Sequence, residues 1–267
     1  MGGDETNLVE WAENDPENPQ NWPTSKKWIV TTVMSTLTFC VTFASSVFSS
    51  ATEASAKEFG VSDEVMVLAS SLFVLGFALG PTVWGPLSEL YGRKIPLFTG
   101  FFISALFQIP VAVAQNVETV LICRFLGGVF GCSPIAVVGG ALADFWDPVE
   151  RGVAVCSFAG ATFVGPLAGP IAGSFITASY LGWRWTEWLT LILMAFFGTV
   201  AVIVVPETSQ PILLSRRAKK IRFETKNWAI HAAHDEQQVD IKAIVVKYLL
   251  RPLKMLVLEP ILLLLTM

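Results

Sequence analysis

Six stretches of about 20 residues, apolar and almost free of charge, limit what this chain can fold into. They run from Trp28 to Ser49, Val67 to Leu87, Ile95 to Ala114, Val120 to Ala141, Val153 to Ser174 and Trp188 to Val205. A helix rises about 1.5 Å per residue, so about 20 residues cover the roughly 30 Å hydrocarbon core of a bilayer. Only Arg124 brings a charge into these stretches. Each is about twice the length of a tilted membrane strand and lacks its alternation of apolar and polar residues, which favours helices over a barrel. The expected fold class is therefore all-α integral membrane, a six-helix bundle over residues 28–205 with the lipid bilayer as its solvent. With 53% of residues hydrophobic and 15% charged, the composition suits that solvent.

The flanks differ in kind. Residues 1–27 are acidic and rich in Pro and Asn, which predicts a disordered cytoplasmic tail. They lack the basic patch and short apolar core of a secretory signal. Residues 206–252 predict a polar cytoplasmic loop, whose cluster Arg216-Arg217-Ala218-Lys219-Lys220 either sets topology or touches anionic lipid. Residues 253–267 are apolar again but too short for a full crossing, and are expected to be the start of a truncated seventh span. Of the 18 basic residues, all but Lys57, Arg124 and Arg184 fall on one side of the predicted spans. That bias puts both the amino terminus and the 206–252 segment in the cytoplasm.

Several function classes drop out. A net charge of -4 without a basic stripe argues against nucleic acid. Cys40, Cys123, Cys132 and Cys156 lie in apolar runs without paired spacing, and His231 and His234 stand in a polar stretch with no nearby Cys, so no metal site is expected. No cofactor is expected either. The predicted spans contain no His and no carboxylate, which leaves no catalytic set for a membrane-embedded enzyme. No nucleotide-binding loop appears, which favours an ion gradient over ATP as an energy source.

Four groups of residues carry more specific chemistry. Between spans two and three, Gly85-Pro86-Leu87-Ser88-Glu89-Leu90-Tyr91-Gly92-Arg93-Lys94 places a small residue for close helix approach at Gly85 and backbone freedom for a tight turn at Gly92. Glu89 is placed there to pair with a basic group. Arg124, about one turn inside span four, either faces a cavity or a partner, or snorkels to the interface. Gly165, Gly169 and Gly173 share one face of span five, where Pro166 and Pro170 loosen the helix. Ser35, Thr38, Thr42, Ser45 and Ser49 follow one side of span one. They either line a polar pathway, with Gln108 of span three as a further contact, or bond to carbonyls one turn back.

The loop from Gly85 to Lys94 resembles the signature loop of the major facilitator superfamily. Leu121-Ile122-Cys123-Arg124-Phe125-Leu126-Gly127-Gly128 is similar to that family's fourth-span motif, whose arginine is implicated in proton coupling. Gly160 to Gly173 looks like the fifth-span motif of its antiporters, where the groove packs against the opposite half. Asp144 with Arg151-Gly152 resembles a second cytoplasmic charge motif. Asp15 to Trp22, Gly182 to Trp185, Pro206-Glu207-Thr208 with Pro211 to Leu214, and Glu259-Pro260 resemble the fungal twelve-span drug:proton antiporters. The resemblance implies one half of the major facilitator fold plus the start of a seventh span. It implies a conformational latch of Gly85, Glu89, Gly92, Arg93, Lys94, Asp144 and Arg151, and a helix-packing groove of Gly165, Pro166, Gly169, Pro170 and Gly173. Arg124, Gln108, Ser35, Thr38, Thr42 and Ser45 would form the proton-coupling or substrate pathway. The implied function is a secondary active transporter, exporting small organic or drug-like molecules in exchange for protons by alternating access, in the plasma membrane. The alternative is a non-transporting half of such a protein, lacking its carboxy-terminal half or pairing with a second copy through the groove.

Overall fold

The computed structural model describes residues 8–13, 15–233 and 235. The expected seventh span and His234 lie outside the described residues. Among those described, no strand forms, and six helical segments are long and apolar enough to cross a membrane: Thr24–Phe59, Asp63–Leu90, Lys94–Ala112, Val117–Phe145, Arg151–Ala178 and Arg184–Val204. Each contains most of one predicted stretch and extends it into more polar flanks.

The first span joins α1 (Thr24–Val47) through a 3-10 turn, Phe48–Ala51, to α2 (Thr52–Phe59). The second joins α3 (Asp63–Leu79) to α4 (Pro81–Leu90), where Pro81 takes the first position of the new helix and its missing N–H costs nothing. The third is α5 (Lys94–Ala112). The fourth breaks between α6 (Val117–Gly131) and α7 (Ser133–Phe145), again with a proline, Pro134, in the first turn of the second piece. The fifth is α8 (Arg151–Ala178) and the sixth α9 (Arg184–Val204).

Small residues set how closely these helices approach. A Cβ on Gly76 would lie 2.4 Å from the Phe125 carbonyl oxygen, and one on Gly128 only 2.2 Å from that of Phe73. Spans two and four therefore touch backbone to backbone, as small-residue interfaces in membranes do. The core between spans one, three, four and six holds Met34, Leu37, Val41, Leu97, Phe101, Val137, Val138, Leu142 and Met194, all buried. Many large apolar residues, such as Val74, Ile122, Ile192 and Phe196, are exposed. A bilayer or another bundle would cover such surfaces.

One expectation for the flanks is corrected. The stretch 15–23 is not a loose tail: Trp22 is buried 5.9 Å from the Phe145 ring, Lys26 lies 3.9 Å above the Trp22 ring, and Pro19–Asn21 form a turn of 3-10 helix capped by Asn18. Asp15 is buried and bonded to Arg217. The 206–252 segment begins with a helix, α10 (Gln210–Thr225), so part of its basic cluster binds the tail. Polar composition concealed both, because Trp22 and Asp15 find their partners, Phe145 and Arg217, more than 100 positions away.

Candidate functional site

Arg124 and Glu187 form the site. Arg124 projects from α6 and Glu187 from the first turn of α9, with Nη1 3.2 Å from Oε1. Their side chains are 1% and 0% exposed. Sequence reasoning missed Glu187 because the sixth span was begun one residue later, at Trp188. The signal was present, since a carboxylate beside Trp185 and Trp188 sits where a span enters. Arg124 therefore does not snorkel.

The surroundings of Arg124 follow from the end of α1. The last four carbonyls of an α-helix lack their usual partner, and α1 ends at Val47 before tightening into the 3-10 turn. Two of those carbonyls face Arg124: Nη1 donates to Ala44 O at 3.2 Å and Nη2 to Ser45 O at 3.4 Å. The guanidinium also lies 4.4 Å from the Phe48 ring centre and 4.8 Å from that of Phe73. Carbonyls, ring faces and a carboxylate together replace the water that a buried cation loses. Burial of a charge pair is weak evidence for stability and better evidence for a role.

One turn toward the helix start, Arg184 fastens the same end of the bundle. Its Nη1 donates to Ala112 O at 2.9 Å, and its Nη2 to Ala114 O at 2.8 Å and to Glu58 Oε1 at 2.7 Å. Trp183 Nε1 donates to the other Glu58 oxygen at 2.6 Å. These bonds tie α2 and the end of α5 to the start of α9, fixing the height at which Glu187 enters.

At the opposite end, Gly92 has φ +89°, the left-handed turn expected of it. Arg93 Nε donates to Asp144 at 2.9 Å and Nη1 to Ser88 Oγ at 2.8 Å, joining the two charge motifs. Glu207, just beyond α9, adds what the expected latch lacked. It accepts from the backbone N–H of Arg93 at 2.8 Å and of Lys94 at 3.3 Å, and from those of Thr208 and Ser209. Lys94 Nζ donates to Val202 O at 3.3 Å. Glu89 faces this cluster closely enough to act on the charge of Asp144. Two members make no such contact among the described residues. A Cβ on Gly85 would meet nothing within 4 Å, so Gly85 mediates no close approach among the described residues. Arg151 starts α8 and joins no ion pair among them.

The glycine groove packs against a helix, but that helix belongs to this bundle and not to the opposite half that the resemblance implied. Gly165, Gly169 and Gly173 face α1, where added Cβ atoms would fall 2.1, 2.1 and 2.0 Å from the hydroxyls of Thr42, Ser46 and Ser50. Two rows at four-residue spacing interlock, and Ser46 Oγ reaches Gly165 O at 3.5 Å. The groove is thus filled within this bundle, while Phe163, Leu167, Ile171 and Phe175 are among the exposed residues of α8. Pro166 and Pro170 lie inside α8 without breaking it.

The hydroxyl stripe divides. Thr38 donates to Met34 O at 3.3 Å, Thr42 to Thr38 O at 3.0 Å and Ser45 to Thr42 O at 2.6 Å, each within its own helix. Ser35, Thr38 and Thr42 are buried, Ser45 is half-buried and Ser49 exposed, so the five do not line one open face. Gln108 is buried in α5.

Six helices long and apolar enough to cross a membrane, with a buried ion pair at one end and a charge cluster at the other, define a polytopic membrane bundle. The chain belongs to the Major Facilitator Superfamily, whose family model matches residues 34–267. It is 56% identical over 97% of its length to the citrinin biosynthesis cluster transporter mrr1 of Monascus ruber, covering 52% of that protein. It is 53% identical over 97% of its length to the ascochitine biosynthesis cluster transporter of Didymella fabae, covering 50% of it. The chain thus spans about half the length of these curated relatives. Among solved structures, the E. coli xylose transporter in an inward-open state superposes with a TM-score of 0.63 at 18% identity, over 76% of this chain and 53% of that one. The human organic anion transporter MFSD10 gives 0.60 at 17% identity, over 88% and 55%. At such identities the likeness is one of fold.

Proposed function

We propose that this chain forms the amino-terminal half of a secondary active transporter that exports small organic molecules in exchange for protons. The observation that carries the reading is the fully buried pair of Arg124 and Glu187. A carboxylate buried from water has two accessible states, ionised against Arg124 or protonated and neutral, and exchange between them takes up or releases one proton. Arg124 keeps the Ala44 and Ser45 carbonyls and two ring faces in either state. Alternating access by rocking of two six-helix bundles would then expose Glu187 to each side in turn.

The names of the relatives suggest the cargo class, since they are called transporters of citrinin and ascochitine biosynthesis clusters. The charge bias supports a cytoplasmic latch end, and we assign the protein to the plasma membrane on the family resemblance. The test is transport of citrinin into proteoliposomes holding the intact transporter. Uptake should follow an imposed pH gradient, collapse with a protonophore, and be lost in Glu187→Gln. Uptake indifferent to the gradient would overturn proton coupling, and uptake retained in Glu187→Gln would remove Glu187 from it.

A further inference from the structure

Among the buried side-chain atoms with no hydrogen-bond partner in the described residues are Arg124 Nε, Glu187 Oε2 and Gln108 Oε1. Gln108 is only 2% exposed, although an amide acceptor left unmet in such a place carries its full desolvation cost.

Helix registers put Gln108 level with the ion pair. Antiparallel α5 and α6 are pinned by Ser104 Oγ donating to Gly127 O at 2.8 Å. One more turn along α5 leads to Gln108, as one turn back along α6 leads to Arg124. Antiparallel α5 and α9 are pinned by Gly198 against Phe101 and by Arg184 on Ala112 O. A turn from Ala112 leads to Gln108, as a turn from Arg184 leads to Glu187. Both registers converge on the same height.

We propose that Gln108 holds the protonated form of Glu187, accepting its carboxyl O–H on Oε1. This rests on the reading of Glu187 as the proton site. One proton passes from hydronium to Glu187 Oε2, an O–H bond of hydronium breaking to leave water as the carboxyl O–H forms, and the new O–H donates to Gln108 Oε1. The site gains one positive charge, carried by Arg124 on its carbonyls and rings. An ionised Glu187 has no proton to offer, so the amide acceptor favours one protonation state over the other. Gln108 is thus a positioning residue that sets how readily the site fills.

The charged groups around Glu187 are few. Arg124 faces it from α6, and Arg184, held by Glu58 of α2, stands one turn away on α9. The other helices packed on α9 bring no charge to this height: Lys26 and Lys27 of α1, Lys94 of α5 and Arg151 of α8 all lie at the latch end.

The test is infrared difference spectroscopy of the purified full chain in nanodiscs across a pH titration. A protonated-carboxyl band that disappears in Glu187→Gln is expected at the frequency of a hydrogen-bonded acid. In Gln108→Leu and in Gln108→Met, that band should move to the frequency of a free acid, and proton affinity should fall about tenfold, one unit on the pH axis. Each variant removes an acceptor that meets no donor in the ionised state, and melting curves identify any that misfold. An unchanged band position and midpoint in both variants would overturn the role of Gln108. If no band depends on Glu187 at any pH, the proton-site reading itself fails.

Discussion

Two arginines, Arg93 and Arg124, each face an acid, and their settings differ in almost every physical respect. Arg93 and Asp144 are 16% and 22% exposed, and Arg93 also holds Ser88 while its backbone binds Glu207. Arg124 and Glu187 are sealed from solvent. A partly wet network can exchange partners for water at little cost, so it suits a contact that must form and release during a conformational cycle. A dry pair cannot separate without stranding a charge. Under the proposed function, this difference would put motion at one end of the bundle and ion chemistry at the other.

The sharpest way to break this contrast is at the dry end. Arg124→Ala or Glu187→Gln leaves one member without its counter-charge, and loss of about 3–5 kcal/mol of stability is expected for the worse of the two. The double change Arg124→Met with Glu187→Leu should recover much of that loss while leaving transport absent. Melting in detergent beside uptake in proteoliposomes separates the two effects. Recovery of transport in the double variant would show the pair to be packing alone.

The next largest effect lies where α8 meets α1. Gly169→Val places branched carbon against Ser46, and a loss of about 1–3 kcal/mol is expected from overpacking, read as a lower melting midpoint. Pairing Gly169→Ala with Ser46→Gly should be milder than Gly169→Ala alone. The same changes act on a surface that would show no penalty if the groove were open to a second bundle.

At the wet end the effects shrink. Gly92→Ala combines a left-handed φ with a Cβ 2.6 Å from Glu207, and should cost about 1–2 kcal/mol. Asp144→Asn should cost about 1 kcal/mol or less, because water replaces the lost partner of Arg93. Its larger effect should be on conformation, seen as altered labelling of single cysteines placed at the two ends of the bundle.

The contrast also explains what the sequence disclosed. Spans were legible because hydrocarbon thickness imposes a length on uninterrupted apolar runs, which is a local property. Gly92 and Arg93 were legible for the same reason, since a turn is built from neighbours. Glu187 was hidden by a boundary placed one residue too late, an error within the usual uncertainty of helix ends. Glu207 was visible as part of Pro206-Glu207-Thr208 but its partners are the N–H groups of Arg93 and Lys94, more than 100 positions away. The glycine row showed its spacing and concealed its neighbour, because Thr42, Ser46 and Ser50 carry the same four-residue period as many helices that do not touch it.

The smallest expected effect concerns the tail, and its sign can be worked out. Arg217 beside Asp15, helped by the Glu17 backbone N–H, lowers the Asp15 carboxyl from its ordinary value of 3.8. A carboxyl with a lowered folded value favours the docked state fully above its ordinary value and loses that contribution as pH falls through the lowered one. The clasp should therefore hold unchanged from neutral pH down to about 5 and loosen only below about 4. A spin label on Ala12→Cys, with Cys156→Ser removing the exposed native thiol, reports the tail's mobility. Asp15→Asn should raise that mobility at neutral pH and abolish its dependence on acid. If the wild-type tail is instead released between pH 6 and 7, a group other than Asp15 holds it, and the ionic clasp to α10 is not what orders the residues before α1.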